Sequence, residues 1–163
     1  MIPADDFILR MEKELMGGRG RFIADFKESF RQFKVRGVEF DAMIRGSTRV
    51  KGFFLSRVFS YLVSPNYQVA CFILSIDSKK VFRKEEYGRH VAAIKSFMKR
   101  EEINWTWLYM AGHEPKPRMK RAVERTTETS TGVVLVDLET REVFHSDSYI
   151  GRQAAKYVRF PKG

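Results

Sequence analysis

The chain has only one cysteine, Cys71, among its 163 residues. A single cysteine excludes a disulfide within the chain and also a zinc site built from several cysteines. Cys71 lies inside an apolar run, so we expect an inert core thiol. Histidine is also scarce, and the spacing of His90, His113 and His145 is not that of metal ligands.

Long hydrophobic runs are absent as well. No apolar stretch reaches about 18 residues, the length at which a transmembrane helix becomes a candidate. The first residues carry Asp5, Asp6, Glu12 and Glu14, whereas a signal peptide has a basic start and an uninterrupted apolar centre. We therefore expect a cytoplasmic protein.

The sequence also lacks the motifs that most often reveal a function. It has no Walker loop, no dinucleotide-binding glycine pattern, no nucleophile elbow and no ribonucleoprotein-type aromatic motif. What it does have is a folded composition, with 44% hydrophobic residues and 14 phenylalanines. No repeat or linker interrupts it, so one domain over residues 1–163 is expected.

Acidic residues are outnumbered by basic ones. The 20 Asp and Glu residues face 30 Lys and Arg residues, which gives a formal net charge of +10. A basic balance of this size favours a polyanionic partner, and nucleic acid, either DNA or RNA, is the first candidate. A solvated basic surface with no such partner is the plainer alternative.

The segment 67–80 is predicted to form the centre of the fold. It runs almost unbroken from Val69 to Ile76 through apolar residues, and a Ser-Pro-Asn turn precedes it. Such a run, rich in β-branched and aromatic residues, indicates a strand that is buried on both faces. The strand ends at Asp77 and Lys79, where an open sheet commonly places a binding or active site. Any strand that leaves a core can end in the same way.

Hydrophobic periodicity predicts the other elements. Phe22, Phe26, Phe30 and Phe33 recur at helical spacing, so residues 21–34 are assigned to a helix whose stripe faces the core. Helices are predicted over 4–16, 21–34, 84–101, 115–127 and 149–158. Strands are predicted over 35–45, 50–63, 67–77, 104–110, 131–137 and 141–145.

These elements predict a mixed α/β (α+β) fold. Short turns join the strands in 35–77, which favours an antiparallel three-stranded meander. The strand, long helix and strand that follow form a βαβ crossover, which implies a parallel pair. The expected architecture is a central mixed sheet with a meander, a parallel crossover and flanking helices.

One group of side chains suggests chemistry. Asp77 and Lys79 are two residues apart on one strand and so point the same way. Glu39 and Asp41 share the polar face of the first predicted meander strand. If these faces meet, Asp41 (or Glu39) and Asp77 would bind Mg²⁺, and Lys79 would position a water for phosphodiester hydrolysis.

The element order and the Asp77-Ser78-Lys79 sequence resemble the restriction-endonuclease-like, or PD-(D/E)XK, nuclease superfamily over about residues 20–112. That family's core runs helix, three-stranded meander, helix, strand. An acidic residue lies on the second meander strand, and an acidic-x-Lys motif lies on the third. The resemblance implies magnesium-dependent cleavage of nucleic acid, with Asp77 and Lys79 as the acidic-x-Lys pair.

The sequence departs from the family's pattern at one position and offers a match at another. The predicted second meander strand, 50–63, has no acidic residue, so the nearest counterpart of the family's other carboxylate is Asp41, one strand earlier. Glu28 could match a glutamate that the family often has on the preceding helix. A relative that has lost catalysis but still binds nucleic acid is an equal alternative.

Basic residues cluster in three groups, which are the predicted nucleic-acid contacts: Arg45, Arg49 and Lys51; Lys80, Arg83 and Lys84; and Lys116, Arg118, Lys120 and Arg121. The last two groups follow the carboxyl ends of strands that the crossover makes parallel, so they are expected to be neighbours. Helix N-termini there would add to anion attraction. The competing function is a non-enzymatic interaction or regulatory module, for example a homodimer.

Overall fold

A computed structural model describes residues 1–17, 24–47, 67–77 and 82–162. These residues form three layers, with a six-stranded mixed sheet between two pairs of helices. None of the described helices is long and apolar enough to cross a membrane. The predicted mixed α/β class is confirmed.

The helices are α1 (Ala4–Gly17), α2 (Lys84–Glu101), α3 (Pro117–Glu124) and α4 (Tyr149–Ala155). The strands are β1 (Asp25–Val35), β2 (Val38–Ser47), β3 (Gln68–Ser75), β4 (Trp105–Gly112), β5 (Thr131–Asp137) and β6 (Val143–His145).

The strands lie side by side in chain order, from β1 to β6. β2 is antiparallel to both β1 and β3, so these three strands form the meander. β3, β4 and β5 are mutually parallel, and β6 returns antiparallel to β5. The carboxyl ends of three parallel strands therefore share one edge of the sheet, here called the carboxyl edge.

β3 lies within the sheet and is buried on both faces, as predicted. Cys71 and Ile73 point into a core that α1 and α4 cover. Phe72 and Leu74 point into a second core on the opposite face, which α2 and α3 cover. Burial raises the pKa of the Cys71 thiol well above its usual range, which fits an inert core residue.

The helix predicted over 21–34 is wrong, because residues 25–35 form β1. The pairing of β1 with β2 shifts register between Phe26 and Glu28. Gln32 then interrupts the strand with a positive φ of 48°. Phe26 faces the first core. The two irregularities place Phe30 opposite Met43 and Phe33 opposite Phe40, so both of these phenylalanines lie on the side of the second core although they are three residues apart. The helix-like spacing from Phe26 to Phe33 is thus that of a strand with two irregularities.

The prediction of which three strands form the meander is also wrong in one respect. β2 pairs directly with β3, so no strand over 50–63 lies between them. The segment 50–63 itself lies outside the described residues. The meander is therefore β1–β2–β3, and Asp41 is on its second strand. Among the described residues, the order from α1 to β4 is helix, three-stranded meander, helix, strand.

Candidate functional site

Asp41 reaches the carboxyl edge because β2 is irregular at this position. The pairing with β1 passes from Arg31–Ala42 to Phe33–Phe40 and leaves out Gln32 and Asp41. Phe40 accordingly faces the second core and Ala42 the first. Asp41 turns toward β3, where its Oδ2 accepts a hydrogen bond of 2.5 Å from the backbone N–H of Ser75.

Asp77 follows β3 by two residues and contacts the loop after β4. Its Oδ1 accepts the backbone N–H of His113 at 2.9 Å, and its Oδ2 lies 2.5 Å from the His113 ring Nδ1. Asp77 and His113 keep 33% and 23% of their side chains exposed, so solvent still reaches the pair. Asp41 is anchored at Ser75, two residues before Asp77, and both carboxylates therefore belong to the same strand end.

A glycine makes the Asp77 contact possible. A Cβ atom on Gly112 would lie 2.3 Å from Cγ1 of Ile76 and 2.8 Å from Oδ1 of Asp77. Both distances are shorter than Cβ contacts in real proteins, so any other residue at this position would displace the carboxylate. Gly112 thus lets the end of β4 lie against the end of β3.

A third carboxylate, Asp137, ends β5 at the same edge and has a structural role. It is 2% exposed, and its Oδ1 accepts the backbone N–H groups of Glu139 and Thr140 at 3.0 and 3.3 Å. Burial alone raises the pKa of Asp137. The hydrogen bonds that it accepts from Thr140, Glu139 and Glu114 outweigh burial and hold that pKa below its ordinary value.

Basic residues begin both crossover helices at this edge. Arg83 is the N-cap of α2, and Lys84 is its first residue. Lys116 is the N-cap of α3, three residues after His113. None of these three has an ion-pair partner within the part of the chain that the structure describes. Apart from Lys80, which lies outside the described residues, the two groups predicted to be neighbours lie on or begin helices that start from this edge and pack on the same face of the sheet.

The outer face of α3 is a row of arginines. Arg118, Arg121 and Arg125 are exposed at spacings of three and four, so they line one side of the helix. Met119 and Val123 occupy the opposite, buried side. No carboxylate of the described residues pairs with any of the three arginines. We call Arg118, Arg121 and Arg125 the arginine row.

Two other predicted basic contacts are differently placed. Lys120 is three-quarters buried, with its Nζ 3.8 Å from Asp137 and 3.9 Å from Glu142, so protein carboxylates already neutralise it. Arg45 lies opposite Ala70 near the start of β3, at the other edge of the sheet. It is 3.5 Å from Glu101. The structure does not bring Arg45 together with the residues at the carboxyl edge.

The remaining predicted site residues either lie outside the described part of the chain or lie away from Asp41 and Asp77. Lys79, Lys80, Arg49 and Lys51 lie outside the described residues. Glu39 is exposed and pairs with Lys34 at 3.4 Å. Glu28 is on β1 and not on a helix. Across residues 1–17, 24–47, 67–77 and 82–162, no group of three or more His, Cys, Asp or Glu side chains is arranged to hold a metal ion.

Sequence reasoning missed His113 and Arg125. His113 has the same signal as Asp77, since it directly follows a strand predicted to be parallel to β3. Arg125 extends the spacing of Arg118 and Arg121 by one turn. The sequence also held a sign of the hairpin between β1 and β2. Arg36 and Gly37 form its two-residue turn, in which both φ angles are positive, and glycine is typical of such turns.

Comparisons of the chain with protein-family models, with curated proteins and with solved structures give no match.

Proposed function

We propose that this protein binds nucleic acid at the carboxyl edge and cleaves phosphodiester bonds there with a divalent metal ion. The observation that carries the proposal is the placement of Asp41 and Asp77. Contacts with Ser75 and His113 hold both carboxylates at the end of β3. Basic residues that lack carboxylate partners within the described chain begin the two neighbouring helices.

The element order supports the same proposal. From α1 to β4 the order of the described elements is the one that the PD-(D/E)XK nucleases, which the sequence resembles, have in their core. With β1 as the first meander strand, Asp41 lies on the second and Asp77 directly after the third. The acidic position that the predicted strand 50–63 could not supply is therefore available in β2.

The donor set fits a hard divalent cation. Carboxylate oxygens are the preferred ligands of Mg²⁺, which usually takes one or two carboxylates and completes its shell with water and phosphate oxygens. Asp41 and Asp77 would be these ligands. The metal would supply an activated water and neutralise charge on the phosphate. Lys79, outside the described residues, would orient that water.

The rest of the edge would bind the polyanion. Arg83, Lys84 and Lys116 lie at helix starts, where free backbone N–H groups add to the attraction of anions. The arginine row extends this positive surface along α3. Guanidinium groups suit phosphate because their N–H donors form a fixed fork. Such contacts bind the backbone without reading the sequence.

The nuclease activity is tested with labelled DNA and RNA in the presence and absence of Mg²⁺. We expect Asp77→Asn to lower the cleavage rate by on the order of 100-fold or more, because it removes a metal ligand and its charge. Asp147→Asn is the matched control, since Asp147 is exposed and lies after β6, at the opposite edge. Cleavage that survives Asp77→Asn would remove the assigned site.

A non-enzymatic homodimer is the second candidate, and one observation favours it. β1 is an outer strand of the sheet that the described residues form, and Phe30 on this strand is 44% exposed. An edge strand with an exposed aromatic residue is a ready surface for pairing with a second chain. Light scattering on the wild type and on Phe30→Lys would separate the two candidates, since only the dimer depends on Phe30.

A further inference from the structure

The contact between Asp77 and His113 involves both oxygens of the carboxylate. The backbone N–H of His113 donates to Oδ1, and the ring Nδ1 lies against Oδ2. The other ring nitrogen, Nε2, is buried and has no hydrogen-bond partner. The carboxylate is therefore the only polar group that the His113 ring contacts among the described residues.

The carboxylate is also confined on one side. Gly112 leaves no space for even a Cβ atom beside Oδ1 of Asp77. The side chain can therefore not retreat toward β4. A carboxylate has about four lone-pair sites, and His113 takes one on each oxygen. A cation shared with Asp41 therefore has to bind oxygens whose charge His113 already shares, and the ring covers one approach to Oδ2.

We propose that His113 is a positioning residue that occupies the Asp77 carboxylate when no cation is bound and is displaced when one binds. This inference rests on the proposed metal site at Asp41 and Asp77. The ring and the cation compete for one carboxylate, so the contact lowers the apparent affinity for the cation. The size of that effect is set by the fraction of molecules in which the ring has left Asp77.

The proposed competition predicts a change in cation affinity whose direction differs from that expected for other roles of His113. Removing the His113 ring should tighten cation binding, by on the order of 10-fold for a lost charge-assisted hydrogen bond. A ring that served as a metal ligand would give weaker binding on removal. A ring that served only to pack the loop would leave the affinity unchanged. Either result would overturn the proposal.

The experiment is calorimetric titration of the full chain with MnCl₂ alone, without nucleic acid. His113→Ala keeps the backbone N–H bond to Asp77 and deletes only the ring, so we expect the tighter affinity. His113→Phe does the same while filling the space of the ring, and it serves if the alanine variant does not fold. His113→Asn keeps a side-chain N–H near the position of Nδ1 and should stay close to the wild type.

Two controls separate failure of this inference from failure of the proposed function. Asp77→Asn should abolish the binding heat in the wild type and in the His113 variants, which assigns the heat to this site. If the folded wild type and both ring-deletion variants take up no Mn²⁺, the metal site and the inference fail together. If the wild type binds and neither variant binds more tightly, the inference alone is wrong.

Discussion

Two carboxylates of the carboxyl edge, Asp77 and Asp137, both accept hydrogen bonds from the loop that follows β4. Asp77 takes the backbone N–H of His113, and Asp137 takes that of Glu114. Their exposure separates their roles. Asp137 is 2% exposed and is saturated by protein donors, whereas 33% of the Asp77 side chain is open to solvent. Only the exposed carboxylate is suited to a ligand.

The buried carboxylate of Asp137 leads to a prediction of how the free energy of unfolding depends on pH. The pKa of Asp137 is held below its unfolded value of about 3.9. Its hydrogen bonds therefore stabilise the fold at pH values above about 4, and this contribution is lost as the pH falls toward the folded-state pKa. Asp137→Ala should cost about 1–3 kcal/mol at pH 7. The difference from the wild type should shrink below about pH 4.

Urea unfolding at a series of pH values measures this difference. Asp147→Ala is the control, because that carboxylate is exposed and, among the described residues, pairs only with Arg152, at 3.4 Å. The control should show a small difference with little dependence on pH. A difference for Asp137→Ala that is as large at pH 3 as at pH 7 would contradict the assigned role.

At the level of whole elements, sequence reasoning succeeded where one period governs a segment. α2, β3, β4 and β5 were predicted because an apolar stripe or a continuous apolar run extends through each of them. β1 was missed because its register shift and the positive φ of Gln32 interrupt the period of two. The same interruption places Asp41, so the site depends on a feature that periodicity cannot detect.

The docking of α4 on β5 depends on two facing glycines. A Cβ atom on Gly132 would lie 2.7 Å from the backbone nitrogen of Gly151. Backbone cannot move aside as a flexible side chain can, so we expect Gly132→Ala to destabilise the protein by about 1–3 kcal/mol. Gly88→Ala is the matched control, because a Cβ there meets nothing within 4 Å.

Thermal or urea unfolding of the two variants provides the measurement. Gly88 is exposed within α2, where alanine is favoured over glycine by up to about 1 kcal/mol. The two substitutions should therefore act in opposite directions. Equal effects of the two variants would show that the contact between Gly132 and Gly151 does not limit the packing of α4.

For the whole molecule, the composition gives the net charge of +10, but it does not show where on the surface the unpaired basic residues lie. Which basic residues remain available depends on ion pairs across elements, such as Lys120 with Asp137 and Arg45 with Glu101. Those pairs form between residues distant in the chain. The arginine row is left available because no described carboxylate forms an ion pair with it.

The central claim is that nucleic acid binds at the carboxyl edge and along the arginine row, and that net charge alone does not account for the binding. A variant with Arg118→Ala, Arg121→Ala and Arg125→Ala removes three charges from α3. A second variant with Lys13→Ala, Arg152→Ala and Lys156→Ala removes three exposed charges from α1 and from α4 with its C-cap, on the opposite face of the sheet. The two variants have the same net charge and differ only in where the charge was lost.

The most direct test is the affinity for a labelled DNA duplex, measured by fluorescence anisotropy over a series of salt concentrations. For the wild type, the logarithm of the binding constant should fall linearly with the logarithm of the salt concentration. Loss of the arginine row should make that slope shallower by about 2.7, since each neutralised phosphate contributes about 0.9. The opposite-face variant should keep the wild-type slope. Equal slopes for the two variants, or binding that ignores salt, would contradict a nucleic-acid interface at the carboxyl edge.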